Sequence, residues 1–595
     1  METAIKSPVK NNEVAGAIPD RKGVSGSFYW IVAGLAILPY LPSFGYGFVY
    51  DDDVQVLANP AILSWHFVPA YFGKAIAGFF SGVRSAHYYR PLFFLWLRLN
   101  YFVWGTQAWG WHLANVALHL AASLLVLMVL KKYFRDVLWA AVGAAIFAVH
   151  PSHVETVAWV SGCTDSLMAV SLLGSLWLWM KARETGSLAW GIGSLACCGT
   201  ALLSKETAVI LPVVIFFHAL LGIPAGGPSE EGKARRVGSA LRESIPYVIV
   251  TVVYAAVRFF VLHGIPSPAL WVSRGEALLT MPSIMWFYAR HLVWPWNLSL
   301  FYDFPVVSRA SSYLFWGPLA LLAGLIAATG IWYRRSRDPR IVLAGLWFLL
   351  PLVPALYIGV FKQDDFVHDR YLYLPVLGMA ILGAWLAESL ASRERGPSAV
   401  RLPLVASGGV VVALAIATMV EAQPWKDNLA LYSQAVRVAP KNSQARNNLA
   451  SEESKLGRYQ EASEVLKALL ADEPGLWLAN YNYGYVNYRL GNFALAEKYL
   501  GRAIRIDPND ADQYIYLGTT YFKEGRLLDA EAQVRQGIAR KPDGTGYHFL
   551  LGVIEMQKGN LAAAREEMLT ELRYNPGSQA ARMQLDIISK DMQGE

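Results

Sequence analysis

Three adjacent carboxylates, Asp51, Asp52 and Asp53, stand directly after Tyr50 at the end of the first apolar run. Neighbouring carboxylates repel one another, which raises at least one pKa unless a cation or donor is close. A carboxylate tuned in this way at the edge of a cavity suits a general base, while the bland alternative is a solvated helix cap. Late in the same loop comes His87-Tyr88-Tyr89-Arg90-Pro91. Its arginine offers a planar fork for phosphate oxygens, or else snorkels to lipid headgroups. A third place is His150-Pro151-Ser152-His153-Val154-Glu155, followed by Asp165. The His-x-x-His spacing can set two imidazoles on one helix face. There is no HExxH pattern and a third ligand would have to come from elsewhere, so zinc hydrolysis is not expected. Pro151 instead suggests that one helix ends at His150 and that His153 and Glu155 begin the next. The fourth place comprises Lys205-Glu206 and His368-Asp369-Arg370-Tyr371-Leu372-Tyr373. Each sets a cation beside an acid, for which local ion pairing is the plain alternative.

Taken together, these groups offer carboxylates for a base and several cations for a phosphate. Asp51 to Asp53 could also hold a divalent cation, but Arg and Lys meet a phosphate equally well, so no metal ligand and no cofactor is assigned. Charged groups at the edge of a bilayer are costly unless they pair or perform a function. The set suits transfer from a membrane-anchored, phosphate-linked donor.

The elements that must position these residues fall into two regimes. Across 595 residues the hydrophobic fraction is 54% and the charged fraction only 16%, against a globular norm of about 25% charged. Between about Tyr29 and Val420, apolar runs recur that are long enough to cross a hydrocarbon core. The net charge of +7 sits in short loops between these runs, which argues for membrane topology and against nucleic-acid binding. The clusters are Lys6, Lys10, Arg21 and Lys22; Lys131, Lys132 and Arg135; Lys181 and Arg183; Lys233, Arg235, Arg236 and Arg242; Arg334, Arg335, Arg337 and Arg340; and Arg393, Arg395 and Arg401. Assigning all of them to the cytoplasm requires alternating spans near 28–48, 108–130, 137–150, 165–181, 188–204, 207–222, 245–263, 312–333, 341–360, 374–390 and 402–420. That gives about 11 transmembrane helices, N-terminus inside and C-terminus outside. The first run is kept as a span and not a cleaved signal, and Pro91–Gly105 reads as a helix lying along the interface. Cys163, Cys197 and Cys198 are read as small apolar fillers, with no disulfide framework.

After Pro424 the chain becomes charged and repetitive. Pro440, Pro474, Pro508, Pro542 and Pro576 lie 34 residues apart. Gly457, Gly491, Gly525 and Gly559 keep that spacing, as do Ala462, Ala496, Ala530 and Ala564. A strict 34-residue period is the signature of tetratricopeptide (TPR) helix-turn-helix repeats. Glycine ends each first helix, alanine lets the second pack closely, and proline punctuates the link. Four full repeats are expected, with a partial unit from Pro424 to Pro440 and a capping helix after Ser578. Their groove would take a peptide or another protein, with Tyr481, Tyr483, Tyr485 and Asn487 as candidate lining, although aromatics at this spacing also build cores. The domains are thus a cytoplasmic tail over 1–27, a membrane body over 28–422 and a TPR domain over 423–595. The body is expected to assemble its donor site without the TPRs.

The order Phe48-Val49-Tyr50-Asp51-Asp52, Tyr89-Arg90-Pro91-Leu92, Trp111-His112-Leu113-Ala114-Asn115 with His119, His150-Pro151-x-His153-x-Glu155, Lys205-Glu206 and Arg370-Tyr371-Leu372-Tyr373-Leu374-Pro375 resembles the transmembrane-and-TPR O-mannosyltransferases and their bacterial relatives. The resemblance covers nearly the whole chain. It implies an all-α protein, a polytopic helical body of the GT-C glycosyltransferase fold followed by a TPR α-solenoid. It further implies an inverting transferase that takes a sugar, a mannose-like hexose, from a polyprenyl-phosphate carrier. By that similarity Asp51 or Asp52 deprotonates a Ser or Thr hydroxyl of an acceptor protein. Arg90, Lys205 and Arg370 then stabilise the leaving phosphate, and His150, His153, Glu155 and Glu206 complete the substrate-binding set. This chain departs from the pattern in the extra acid Asp53 and in Cys163-Thr164-Asp165, where a basic residue is expected before the aspartate. The expected location is a bacterial inner membrane with the TPRs in the periplasm. The rival readings are transfer of a whole lipid-linked oligosaccharide and a non-catalytic TPR scaffold; the scaffold gives no reason for acids and cations in four separate loops.

Overall fold

Proline and glycine punctuate a chain otherwise built from apolar or helix-periodic runs, and helices are the result. The computed structural model describes residues 22–74, 88–223, 233–263, 271–392 and 397–593. Lys6, Lys10, Arg21, His87, Arg393, Arg395 and most of the tail over 1–27 lie outside them. Among the described residues regular structure is helical, apart from one isolated antiparallel bridge between Lys362 and Asp365. Seven helices are long and apolar enough to cross a membrane, and an eighth span arises if the bent pair Val137–Ala148 and Pro151–Ala158 is one crossing. Three shorter apolar helices, Leu188–Ser204, Glu206–Leu220 and Pro375–Ala391, join them. Each of the eleven expected spans falls on one of these elements, and the chain is an integral membrane protein.

The body is held by close helix contacts. Gly378 is one of them: a Cβ there would collide with the Ala344 carbonyl oxygen, so the helices Pro339–Leu349 and Pro375–Ala391 meet backbone to backbone. The bend of 52° at His150 and Pro151 has its cause in the proline, which removes a helical donor. It turns Glu155 away from the axis of the preceding helix.

One helix, Arg274–Val293, was not expected. Arg274, Glu276, Pro282, Arg290 and His291 break its apolar run, so its sequence carries no continuous hydrophobic stretch. Ser273 and Glu276 form a reciprocal capping box at its start. Its two ends are tied to the same end of the body. Trp271 Nε1 donates to the Phe361 carbonyl at 2.6 Å, and the Leu292 carbonyl meets His150 Nε2 at 3.0 Å. The helix therefore lies across the end of the body that carries the polar loops.

The repeats follow the 34-residue period. Helix pairs run Ser443–Lys455 with Tyr459–Asp472, Trp477–Arg489 with Phe493–Ile506, Ala511–Lys523 with Leu527–Arg540, and Tyr547–Gln557 with Leu561–Tyr574; Gln579–Gln593 caps them. Gly457, Gly491, Gly525 and Gly559 have φ of 77° to 83°, a left-handed conformation that glycine adopts without strain. The four periodic alanines are fully buried. Tyr483 and Asn487 are buried between helices, whereas Tyr481 and Tyr485 line a cleft of about 210 Å³ with Ser451, Ser454, Asn482 and Tyr516.

The helix Asn428–Val438, which precedes the first full repeat, packs into the core of the membrane body through Leu431, Tyr432 and Ala435. Gly47 N donates to the Lys426 carbonyl at 3.0 Å, and Tyr50 N to Asn428 Oδ1 at 2.8 Å. The segment that opens the repeat region therefore contacts the acidic turn, while none of these contacts reaches Arg90, Lys205 or Arg370, the cations expected to hold the donor. The apolar face of Asn428–Val438 finds its partner in the body.

Candidate active site

The polar places converge on one end of the body, and three buried or part-buried ion pairs bind the second, third and fourth of them together. Arg90 makes a bidentate fork on Glu206, Nε to Oε2 at 3.0 Å and Nη2 to Oε1 at 2.6 Å. Lys205 Nζ reaches both oxygens of Asp165 at 2.6 Å. Arg370 bonds Glu155 twice, through Nη1 to Oε1 and through its backbone N to Oε2 at 2.9 Å. Every partner comes from a distant segment. The local pairs suggested by Lys205-Glu206 and Asp369-Arg370 do not form. Asp369 instead accepts from Tyr302 Oη at 2.5 Å and Ser299 N at 3.3 Å.

The three cations share one neighbourhood. Lys205 Nζ lies 5.3 Å from the centre of the Tyr371 ring, and the Arg370 guanidinium lies 5.4 Å from the same ring and 5.5 Å from Trp159. Arg90 stacks 4.5 Å from Tyr88. Burial, opposed by Asp165 but aided by Arg90 and Arg370, holds the Lys205 ammonium below its ordinary range. With Glu206, Asp165 and Glu155 each neutralising one of these groups, the cluster is a set of fixed dipoles that exposes no bare charge to the bilayer edge.

The two leading acids have different surroundings. Asp52 is fully buried, and both its oxygens are occupied. Oδ1 accepts from Ser161 N at 2.9 Å and Ser161 Oγ at 2.6 Å, and Oδ2 accepts from Val49 N at 3.0 Å. Burial pushes it up to about 7, against the pull of those donors. Asp51 is half-buried; its Oδ2 accepts from Gln55 Nε2 at 3.2 Å, and Oδ1 has no hydrogen-bond donor among the described residues. Burial pushes Asp51 up to about 6; Arg370 and Lys362 pull it down and Asp365 pushes it further up. Asp53 opens the short helical turn Asp53–Leu57.

His150 and His153 are buried behind the ion pairs. His150 spans between Ser152 N at 3.3 Å and the Leu292 carbonyl at 3.0 Å. His153 Nε2 lies 3.2 Å from the Tyr373 carbonyl, with its ring packed on Phe147, His119 and Tyr373. Their contacts fix the bend that presents Glu155 and the turn that presents Arg370.

Sequence reasoning left Asp165 without a role and missed Ser161, Lys362, Asp365 and Asn428. Asp165 stands one residue after Thr164 at the start of a helix, and its only signal was an acid in an apolar run. The others are ordinary loop and cap residues whose meaning comes from folding alone.

Comparison with known proteins agrees with this build. Residues 89–260 match the family model for dolichyl-phosphate-mannose-protein mannosyltransferase, and residues 447–511 and 517–579 match tetratricopeptide repeats. Protein O-mannosyl-transferase TMTC3 of Mus musculus is 23% identical over 592 residues, covering 92% of this chain and 63% of that protein. Protein O-mannosyl-transferase F38B6.6 of Caenorhabditis elegans is 27% identical, covering 70% and 59%. Protein O-mannosyl-transferase Tmtc2 of Drosophila melanogaster is 37% identical over 204 residues, 32% of this chain and 21% of that protein. The chain thus spans about three-fifths of the length of the first two relatives. Among solved structures, the TPR protein YrrB shares 21% identity at a TM-score of 0.24, covering 31% of this chain and 90% of that one. With the membrane module and the repeats matched in this order, the chain is similar in both its halves to the transmembrane-and-TPR O-mannosyltransferases.

Proposed function

We propose that this chain is an inverting protein O-glycosyltransferase that moves a sugar, a mannose-like hexose, from a polyprenyl-phosphate donor to Ser or Thr hydroxyls of a protein acceptor. The observation that carries the reading is the contrast between Asp51 and Asp52. Asp52 is clamped by three donors, whereas Asp51 keeps one oxygen free within electrostatic reach of Arg370.

In this mechanism Asp51 takes the proton of the acceptor hydroxyl as its oxygen attacks the anomeric carbon. The new C–O bond forms on the face opposite the donor phosphate, whose C–O bond breaks and carries its electron pair away with the lipid phosphate. A base with a pKa near 6 is ionised at neutral pH and still basic enough to take a proton in the transition state. Asp52 serves as the anchor that aims its neighbour. Arg90, Lys205 and Arg370 face the developing charge on the leaving phosphate, each preorganised by its carboxylate so that little reorientation accompanies bond breaking. Tyr371, between two of the cations, fixes their spacing.

The reading places the site and the TPRs on the extracytoplasmic side of a bacterial inner membrane, with the repeat cleft receiving the acceptor or a partner protein. The basic loops between spans support that placement. The test is transfer by purified protein, offered a panel of polyprenyl-phosphate sugars and a Ser/Thr-bearing polypeptide. Transfer from one of them to a hydroxyl with inversion supports the reading; no transfer from any, with the donor shown to bind, contradicts it.

A further inference from the structure

Residues Val49 to Asp52 form a tight turn closed by Asp52 N donating to the Val49 carbonyl at 3.1 Å. Tyr50 is the second residue of that turn and has φ of 56°. Glycine or asparagine normally fills a turn position with positive φ, because a Cβ there crowds the carbonyl. Tyrosine persists in such a conformation only where its surroundings over-determine it.

Two sets of contacts do so. The ring of Tyr50 lies between Trp159 at 5.6 Å and Phe301 at 6.0 Å. Its backbone N–H points out of the turn and donates to Asn428 Oδ1 at 2.8 Å. Asn428 is the first residue of the helix Asn428–Val438, whose start is fixed by Asp427 accepting from Ala430 N at 2.7 Å. Next to it Lys426 accepts the Gly47 amide, Trp425 stacks on Trp159 at 6.1 Å, and Tyr432 lies within electrostatic reach of Asp51, Asp52 and Asp53.

We propose that Asn428 is a positioning residue for the reaction: its side-chain carbonyl holds Tyr50 in the left-handed turn that aims the Asp51 carboxylate, making the start of the repeat region a structural part of the catalytic loop. The inference rests on the proposed function for its kinetic consequence, but its structural consequence stands apart from it. Loss of the acceptor leaves the Tyr50 amide unpaired, so the turn relaxes and Asp51 spends less time in its working orientation. Donor binding depends on Arg90, Lys205 and Arg370, which Asn428 does not touch.

The experiment uses the full-length protein in detergent or lipid, comparing wild type, Asn428→Ala and Asn428→Asp. Aspartate keeps an acceptor oxygen at the same place, and assay at pH 8 keeps Asp51 ionised despite the added charge. Hydrogen–deuterium exchange over residues 46–56 is read beside steady-state transfer. We expect Asn428→Ala to speed exchange in this segment at least tenfold and to lower kcat at least tenfold. The donor KM should stay within twofold and the melting temperature within a few degrees. Asn428→Asp should restore kcat to within threefold of wild type. Unchanged exchange and unchanged kcat in Asn428→Ala overturn the inference. So does an Asn428→Asp protein as impaired as the alanine variant, because the acceptor oxygen would then not be the cause. Faster exchange in a protein whose wild type transfers no sugar would support the role of Asn428 in the turn and count against the proposed activity.

Discussion

Lys205 and Asp165 meet through both carboxylate oxygens at 2.6 Å, and each side chain is only 5% exposed. Removing one member of such a pair strands the other charge, at a cost of about 3–5 kcal/mol, whereas replacing both by apolar groups is often neutral. Lys205→Met should therefore lower the melting temperature markedly, and Lys205→Met with Asp165→Leu should recover most of it. If Lys205 also faces the donor phosphate, the double variant should stay slow in transfer. Recovery of both stability and full activity would leave the pair with a structural role only.

The pH dependence follows from Asp51. Its folded pKa is raised to about 6 by burial, and the proposed base works only when ionised. The rate should be flat above about pH 7 and fall about tenfold per unit once the pH drops below 6. A profile with no inflection between pH 5 and 7, on protein that remains folded, would remove Asp51 as the titrating group.

How much of this was legible in sequence depends on how local each feature is. The repeats were readable to the residue because a 34-residue period is written in the chain, and the glycines at 457, 491, 525 and 559 hold the positive φ that their spacing implied. The spans were readable because hydropathy is a local average. Helix Arg274–Val293 was not, since its polar residues break that average while its packing is tertiary. At the site, the residue types of Asp51, Arg90, Lys205 and Arg370 stood out, but their partners did not. Glu206 sits beside Lys205 in the chain yet pairs with Arg90, and Glu155 finds Arg370 across 215 residues. Asn428 looked like an ordinary residue in a linker.

Truncation separates the helix Asn428–Val438 and the first full repeat from the later repeats. Deleting residues 474–595 keeps Asn428, Tyr432 and the contacts of Asn442 with Asp364. That protein should retain donor hydrolysis, or transfer to a short peptide, while losing preference for a protein acceptor. Deleting residues 423–595 removes the support of the acidic turn and should cost both. Kinetics with donor and acceptor varied separately would show it; equal activity of the two truncations would contradict the account of the Asn428–Val438 helix.

Topology can be read independently of chemistry. Reporter fusions after Arg183 and Arg337 should be cytoplasmic, and a fusion after Glu595 should lie on the opposite side. A cytoplasmic Glu595 fusion would break the alternation of the eleven spans and separate the site from the compartment proposed for it.

The most direct test of the central claim is single-turnover transfer from a polyprenyl-phosphate sugar by wild type, Asp51→Asn and Asp52→Asn, each with its melting temperature. Asp51→Asn should remain as stable as wild type, bind donor normally and turn over about 10² to 10⁴ times more slowly. Asp52→Asn should lose stability, because its amide nitrogen cannot accept the donors that Val49 and Ser161 supply. An Asp51→Asn protein that transfers sugar at the wild-type rate would contradict the assignment of Asp51 as the base.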